Sequence, residues 1–341
     1  MGGNALKNCY TRRYEKEEYE NLKTEVVDLL KNSLYFYDIA IPQSYRNKKT
    51  FGDMDIVVRF NQETDLKSLI KQLFNSKELV SNGDCISFEY KEFQIDLIKE
   101  DTYFKTKLEY LNWNDVNNLI GRIAHKFGLK YGHQGLVYVI KNESGYRPKE
   151  ILLSDNMKLI LEFLGFDVDT YSFGFDNLID IYNFVINSKF FNSEIFSFED
   201  LNHINRVRNR KRPTYQGFID YINEPQIKEY IDSKKQFQFN QDKSIYLNRL
   251  DLYFPQIKIY NFIDSYNKEI EVQDKIKEKF SGGKVAQLTG LAGQELGYFI
   301  AYFKKKFEEN NNFDQWVLAT TVEEIEKSIK DSFITYNQTK L

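Results

Sequence analysis

The sequence of 341 residues predicts an α+β protein: a small mixed β-sheet with helices, followed by a mainly α-helical C-terminal half. Three observations predict this class. Short apolar runs alternate with amphipathic helical segments up to about residue 100. A smaller segment of mixed α and β character follows over residues 105–170, and helical spacing dominates from about residue 175.

The individual elements follow from periodicity and from helix- and strand-breaking residues. Apolar positions at helical spacing predict a helix over 14–34, and Pro42 ends an apolar run that predicts a strand over 35–41. The same reasoning predicts strands over 53–60, 85–90 and 93–98, with a helix over 65–74. In the C-terminal half it predicts helices over 178–186, 215–232, 257–280, 293–309 and 322–333.

Composition limits the classes of protein that fit. The chain is long enough to build more than one hydrophobic core, and its net charge of −3 does not by itself attract nucleic acid. Cys9 and Cys85 lack the spacing of a zinc site or a disulfide framework. No run reaches the length of a membrane span and no signal peptide is visible, so we expect a cytoplasmic protein, or one in the host cytoplasm if its source is a virus.

Three aspartates in apolar strands are the main candidates for chemistry. Asp53 and Asp55 flank one apolar residue, so a strand points both side chains the same way. Asp96 lies in a second apolar run and joins them if the two strands are neighbours. Aspartate is depleted in strands, which indicates function rather than capping. Three carboxylates on one face suit Mg²⁺, a cation that prefers oxygen ligands.

The order and spacing of these residues support a resemblance. Ser44 is followed by an aromatic residue, a basic stretch and then Gly52-Asp53-Met54-Asp55, with Asp96 further on; the segment 110–118 continues the pattern. Over roughly residues 35–170 the chain resembles the nucleotidyltransferase superfamily of DNA polymerase beta, most closely the family X DNA polymerases. The resemblance implies a catalytic palm over 35–104 and a thumb-like subdomain over 105–174. An N-terminal helix over 1–34 would precede them, and a helical domain over 175–341 would follow.

The resemblance also implies roles for particular residues. Asp53, Asp55 and Asp96 would hold two Mg²⁺ ions, which Mn²⁺ could replace, and Asp96 would help to deprotonate the attacking hydroxyl. The nucleotide would contact six residues: Ser44, Arg46 and Gly52 at the triphosphate, and Tyr110, Asp115 and Asn118 at the sugar and base. The chain departs from the family pattern at Gln43, Asn47, Gln94, Leu111 and Trp113. Lys48 or Lys49 could replace the second basic residue that is missing at Asn47.

A basic cluster lies outside the region of resemblance. It consists of Arg206, Arg208, Arg210, Lys211 and Arg212, with no acidic residue among them. Such a cluster can bind nucleic acid, although a charge run can equally be a solvated helix face. Both interpretations stay open from the sequence.

The predicted function is Mg²⁺-dependent transfer of a nucleotide from an NTP or dNTP to the 3′-hydroxyl of a nucleic acid, with DNA favoured. Two alternatives stay open: extension of an RNA or tRNA 3′ end, and nucleotidyl transfer to a hydroxyl of a protein or small molecule. A binding module that kept the fold without activity is disfavoured, because all three carboxylates are present.

Overall fold

The structure is a computed structural model that describes residues 5–61, 63–140, 148–307 and 313–338. Its contacts divide the chain into two compact units, and the boundary falls between Ile257 and Lys258. The predicted α+β class is confirmed, because strands and helices occur together in the first unit and helices continue in the second. In the described part of the chain, no helix is both long enough and apolar enough to cross a membrane.

A five-stranded mixed sheet is the centre of the first unit. Its strand order is β2-β4-β7-β6-β5, in which β4 and β7 are parallel and the other neighbours are antiparallel. The bounds of the strands are Phe36–Ala40 (β2), Asp53–Phe60 (β4), Leu79–Asn82 (β5), Cys85–Tyr90 (β6) and Phe93–Lys99 (β7). The four predicted strands are present, with ends that differ by one residue or less, and β5 was not predicted.

Two helices cover one face of this sheet, α1 (Lys16–Asn32) and α2 (Leu66–Phe74). The first is shorter than the predicted 14–34 because Tyr14–Glu15 form a short strand, β1, that pairs with Thr50–Phe51, or β3. Their buried side chains share a core with the apolar positions of β4 and β7: Met54, Ile56, Val58, Phe93, Ile95 and Leu97. The alternating positions of both strands therefore point to the opposite face.

A smaller α/β region follows in the chain. Its three-stranded antiparallel sheet has the order β10-β9-β8. Its strands are Leu129–Gly132 (β8), Gly135–Ile140 (β9) and Lys149–Ser154 (β10), and its helices are Phe104–Leu111 (α3), Val116–Lys126 (α4), Met157–Phe163 (α5) and Val168–Phe173 (α6).

The first unit does not end at residue 174, where the sequence predicts a boundary. Helix α4 packs against α7 and α9, and the ring of Phe127 contacts Phe190, Phe237 and Tyr246. Residues 175–257 therefore share the core of the preceding region. Their helices are Leu178–Ile186 (α7), His203–Asn209 (α8), Pro213–Ile222 (α9), Pro225–Ser233 (α10) and Leu247–Tyr253 (α11). The single helix predicted over 215–232 is two helices, since Pro225 begins a new one.

The second unit is helical, as predicted. Its helices are Ile259–Lys279 (α12), Gly282–Thr289 (α13), Gly293–Lys305 (α14), Phe313–Ala319 (α15) and Val322–Gln338 (α16). They enclose a core that is rich in aromatic side chains, including Phe280, Phe299 and Phe303. The predicted end of the helix over 293–309 falls partly outside the described residues, and α14 ends at Lys305.

Candidate active site

The three predicted carboxylates lie on neighbouring strands. The parallel pairing of β4 with β7 places Asp55 opposite Asp96 and Asp53 opposite Gln94. Since the apolar neighbours of these residues pack under α1 and α2, the carboxylates share the other face of the sheet. The condition that the sequence left open, that the two strands be neighbours, is therefore met. We call Asp53, Asp55 and Asp96 the acidic floor.

Burial and like charge act together on the acidic floor. Burial is the largest cause that raises the pKa of Asp55 to about 8, and the charges of Asp53 and Asp96 add to it. Burial also raises the pKa of Asp96, although hydrogen bonds from Ser87 and Gln94 oppose the rise. The Gln94 amide donates to both carboxylate oxygens of Asp96 at 3.0 Å. Burial and like charge therefore disfavour the ionised form of Asp55 and Asp96, and a bound cation would stabilise that form.

The donor set fits a hard divalent cation held partly by substrate. In the described residues, no group of three or more His, Cys, Asp or Glu side chains is arranged to hold a metal ion by itself. Mg²⁺ commonly takes only one or two carboxylates and completes its shell with water and substrate phosphates. Carboxylates in register on two strands, where burial and then mutual repulsion raise the pKa of Asp55, match that kind of site.

The acidic floor borders a cleft of about 930 Å³, which Asp53 and Asp55 line and Asp96 does not. Asp53 and Asp55 line it together with the turn that precedes β4, including Ser44, Lys48 and Gly52. Asp115, from the start of α4, and three basic residues from the end of α8 and the start of α9 complete the opposite side: Arg208, Lys211 and Arg212. We call these three residues the basic wall. One cleft thus combines carboxylates for cations with positive charge for phosphates.

Lys48 is the residue whose role the sequence left least defined. Its half-buried ammonium lies 3.5 Å from the Ser44 hydroxyl and 4.6 Å from the centre of the Phe51 ring. Burial lowers the pKa of Lys48, while the charges of Asp53 and Asp55 act to raise it. The sequence indicated this residue only as one of two possible replacements for a missing basic residue. Both lysines line the cleft, but the structure places Lys48 beside Ser44 and the carboxylates, whereas Lys49 is exposed.

Arg46 does not line this cleft. Its guanidinium pairs with Asp176 and donates to the Phe173 carbonyl at 2.9 Å. It also lies over the Phe173 ring, 4.9 Å from the centroid. In this arrangement Arg46 fastens the turn before β3 to the segment between α6 and α7. Its predicted contact with a triphosphate would require these interactions to break.

The three residues predicted to contact the sugar and base have different surroundings. Tyr110 packs edge-on against Tyr131, with ring centroids 5.2 Å apart, and burial raises its pKa. Asp115 lines the cleft and forms an ion pair with Arg212. The Asn118 side chain donates to Asn209 Oδ1 at 3.0 Å. Asp115 and Asn118 therefore fasten the α8–α9 segment to α4.

The predicted basic cluster divides into two faces. Arg208, Lys211 and Arg212 line the cleft: Arg208 belongs to α8, and Lys211 and Arg212 lie in the turn between α8 and α9. Arg206 instead donates to the Leu201 carbonyl at 3.0 Å, and Arg210 lies over Phe198, 5.8 Å from the ring centroid. The cluster thus belongs to the first unit and contributes three of its five members to the cleft.

Comparisons with known proteins do not add to this description. No protein-family model matches the chain, and no curated protein is detectably similar to it. The resemblance to the DNA polymerase beta superfamily stays a prediction from the motif residues.

Proposed function

We propose that this protein is a Mg²⁺-dependent nucleotidyltransferase that joins a nucleotide from a nucleoside triphosphate to the 3′-hydroxyl of a nucleic acid. The observation that carries the proposal is the single cleft in which Asp53 and Asp55 face Lys48 and the basic wall. The carboxylates can bind metal ions, and the basic side chains opposite them can bind phosphates. This combination suits a reaction between two phosphate-bearing substrates.

The proposed reaction is a displacement at phosphorus. The oxygen of the acceptor hydroxyl bonds to the α-phosphorus, and the bond from that phosphorus to the bridging oxygen of the β-phosphate breaks. Pyrophosphate leaves with the electron pair, and the hydroxyl proton passes to a base, for which Asp96 is our candidate. Mg²⁺ ions held by Asp53, Asp55 and Asp96 would supply charge neutralisation at the attacking and leaving oxygens.

The chain's own residues divide the remaining work. Ser44 and Lys48 are adjacent to the acidic floor and would bind the triphosphate, through a hydroxyl and an ammonium group. Gly52, between β3 and β4, lines the same part of the cleft. Gln94 holds both oxygens of Asp96 and so fixes the direction in which this carboxylate points. Within this proposal, residues 35–104 act as the palm and residues 105–174 as the thumb.

A direct transfer assay tests the proposal. The protein is incubated with Mg²⁺ and end-labelled DNA or RNA, offered as a single strand, a recessed primer or a one-nucleotide gap, with each NTP or dNTP supplied singly. The Asp53→Asn/Asp55→Asn variant should lose extension. Asp28→Asn, which changes an exposed aspartate of α1, should retain it.

The pattern of products identifies the acceptor. Addition of only the complementary nucleotide indicates templated synthesis, and addition to a single strand regardless of sequence indicates a tailing enzyme. If folded wild-type protein extends no nucleic acid, the nucleic-acid acceptor is wrong. Labelled nucleotide found on protein or on a small hydroxyl compound would then support the alternative acceptors.

A further inference from the structure

We propose that Arg208 and Lys211 bind backbone phosphates of a single-stranded polynucleotide at the mouth of the cleft, and that Arg206 and Arg210 take no part. The inference deepens the proposed function, because it assigns the acceptor strand to a defined surface. The surface itself is defined by contacts, burial and charge. Binding of a single strand to it can be measured without catalysis.

The four basic residues of this cluster other than Arg212 differ in the contacts that their side chains already make. Arg206 is half-buried and bonded to the Leu201 carbonyl, and Arg210 lies over the Phe198 ring. Arg208 and Lys211 are exposed, line the cleft and, within the described residues, form no ion pair with a carboxylate. A cation without a carboxylate partner keeps its full charge for a phosphate.

Arg212 has a different part in the basic wall. Its ion pair with Asp115 joins the start of α9 to the start of α4. The hydrogen bond from Asn118 to Asn209, which is only 2% exposed, joins the end of α8 to the same helix. These two contacts hold the α8–α9 turn in place, so Arg208 and Lys211 stand at a fixed position relative to Asp53 and Asp55. The phosphates of a bound strand would therefore be held at a fixed position relative to Asp53 and Asp55.

Two exposed apolar residues extend the same surface. Ile204 is 76% exposed and Val207 is 43% exposed. Within α8, Ile204 and Arg208 are four residues apart and so lie on the same side of the helix, and Val207 directly precedes Arg208; Lys211 follows in the turn after the helix ends at Asn209. Unpaired bases expose flat apolar faces that a duplex keeps stacked. Exposed apolar side chains beside exposed cations can contact such unstacked bases, so we expect a single strand to bind better than a duplex.

Binding without turnover tests this surface. Fluorescent single-stranded DNA and RNA of the same sequence, and the corresponding duplex DNA, are titrated with full-length protein in EDTA at several salt concentrations. The variant is Arg208→Gln/Lys211→Gln. The matched control, Arg210→Gln/Lys235→Gln, removes the same charge at two other exposed residues of the first unit. Circular dichroism and thermal unfolding confirm that both variants are folded.

The expected result is a selective loss of affinity in the first variant. Its dissociation constant for single strands should rise by about tenfold, and the slope of log K against log salt should become shallower by about 0.7 for each lost phosphate contact. The control should keep the wild-type affinity and slope. A loss of similar size in the control, or duplex binding stronger than single-strand binding in the wild type, would overturn the proposal. The DNA and RNA arms show which polynucleotide is preferred.

The two proposals can fail separately. If the wild type extends nucleic acid but its binding is insensitive to Arg208 and Lys211, the surface is wrong and the proposed reaction stands. If single strands bind through these residues but no nucleotide is transferred, the surface stands and the proposed reaction is wrong. The Asp53→Asn/Asp55→Asn variant helps to separate the cases, because it should bind single strands in EDTA at least as well as wild type.

Discussion

Asp53 and Asp55 of the acidic floor face the same cleft as the basic wall, but the charges of the two regions are balanced in opposite ways. On the floor, Asp53, Asp55 and Asp96 are of like charge on adjacent strands, and burial with mutual repulsion raises the pKa of Asp55 to about 8. On the wall, the ion pair of Arg212 with Asp115 holds the turn that carries Lys211 and follows Arg208, and neither of these two residues forms an ion pair with a carboxylate in the described part of the chain. We infer that the carboxylates of the floor lower the stability of the fold until they bind cations. The wall, in contrast, has its final arrangement before a ligand binds.

The largest effect should come from replacing the buried carboxylate of Asp55, whose charge is disfavoured by burial and by the neighbouring carboxylates. An unfolded chain has an aspartate pKa of about 3.9, and in the folded protein the pKa of Asp55 is about 8. Between these pH values the folded state binds more protons, so stability falls as pH rises through this window and is fully retained below about pH 4. Asp55→Asn removes this dependence. We expect it to be more stable than wild type at pH 8 by roughly 1–3 kcal/mol in EDTA.

Thermal unfolding in EDTA over that pH range measures this prediction. Asp28→Asn serves as the control for the change of net charge. Added Mg²⁺ should raise the wild-type Tm at pH 8 more than that of Asp55→Asn, because binding to the folded state stabilises it. Equal pH dependence in wild type and Asp55→Asn would show that the pKa of Asp55 is not raised in the folded protein.

The second largest effect is expected at Lys48, which lies beside the acidic floor and is proposed to bind the triphosphate of the nucleotide. Replacing Lys48 by Gln removes the ammonium beside Ser44 while keeping much of the side-chain length. Under the proposed reaction, we expect KM for the nucleoside triphosphate to rise by about tenfold with a smaller change in kcat, which corresponds to about 1.4 kcal/mol of lost binding. Initial rates over a range of nucleotide concentrations provide the measurement. Lys49→Gln is the matched control, and a larger effect there would assign the triphosphate contact to the exposed neighbour instead.

The same contrast explains which features the sequence could predict. Strand alternation is a local pattern, so it predicted that Asp53 and Asp55 share a face and that Asp96 joins them if the strands pair. The wall depends on contacts that join distant residues, such as Asn118 with Asn209. No local pattern encodes these contacts. The sequence therefore identified the basic cluster but placed it beyond a domain boundary that the structure does not have.

The partners of individual side chains are the other feature that the sequence could not predict. The turn after α8 ends the helical periodicity, so spacing alone could not separate Arg208 from Arg210. Arg46 occupies the position that the resemblance assigns to the triphosphate, yet its partners come from residues 173–176. Its partners lie about 130 residues away along the chain. Such long-range choices follow from packing and not from the motif.

A smaller effect tests whether the wall is assembled in advance. Asp115→Asn and Arg212→Gln each break the same half-exposed ion pair. We expect each to lower the free energy of unfolding by about 1 kcal/mol, and the double variant to lose less than the sum. Urea unfolding of the four proteins gives the coupling energy. Weaker single-strand binding in Asp115→Asn, which removes no positive charge, would show that the pair positions the wall, whereas additive losses would show that the two residues act independently.

The smallest effect is expected at Arg46, and it decides between the structure and the motif. Arg46→Gln should lose an exposed ion pair with Asp176, which contributes about 0.5 kcal/mol at most. If Arg46 stays bound to residues 173–176 during the reaction, KM for the nucleotide is unchanged and the triphosphate is held by Lys48 and Ser44 alone. A rise in KM as large as that of Lys48→Gln would contradict this. It would mean that Arg46 leaves Asp176 for the triphosphate, and that binding on the floor side of the cleft, unlike on the wall, requires a rearrangement of side chains.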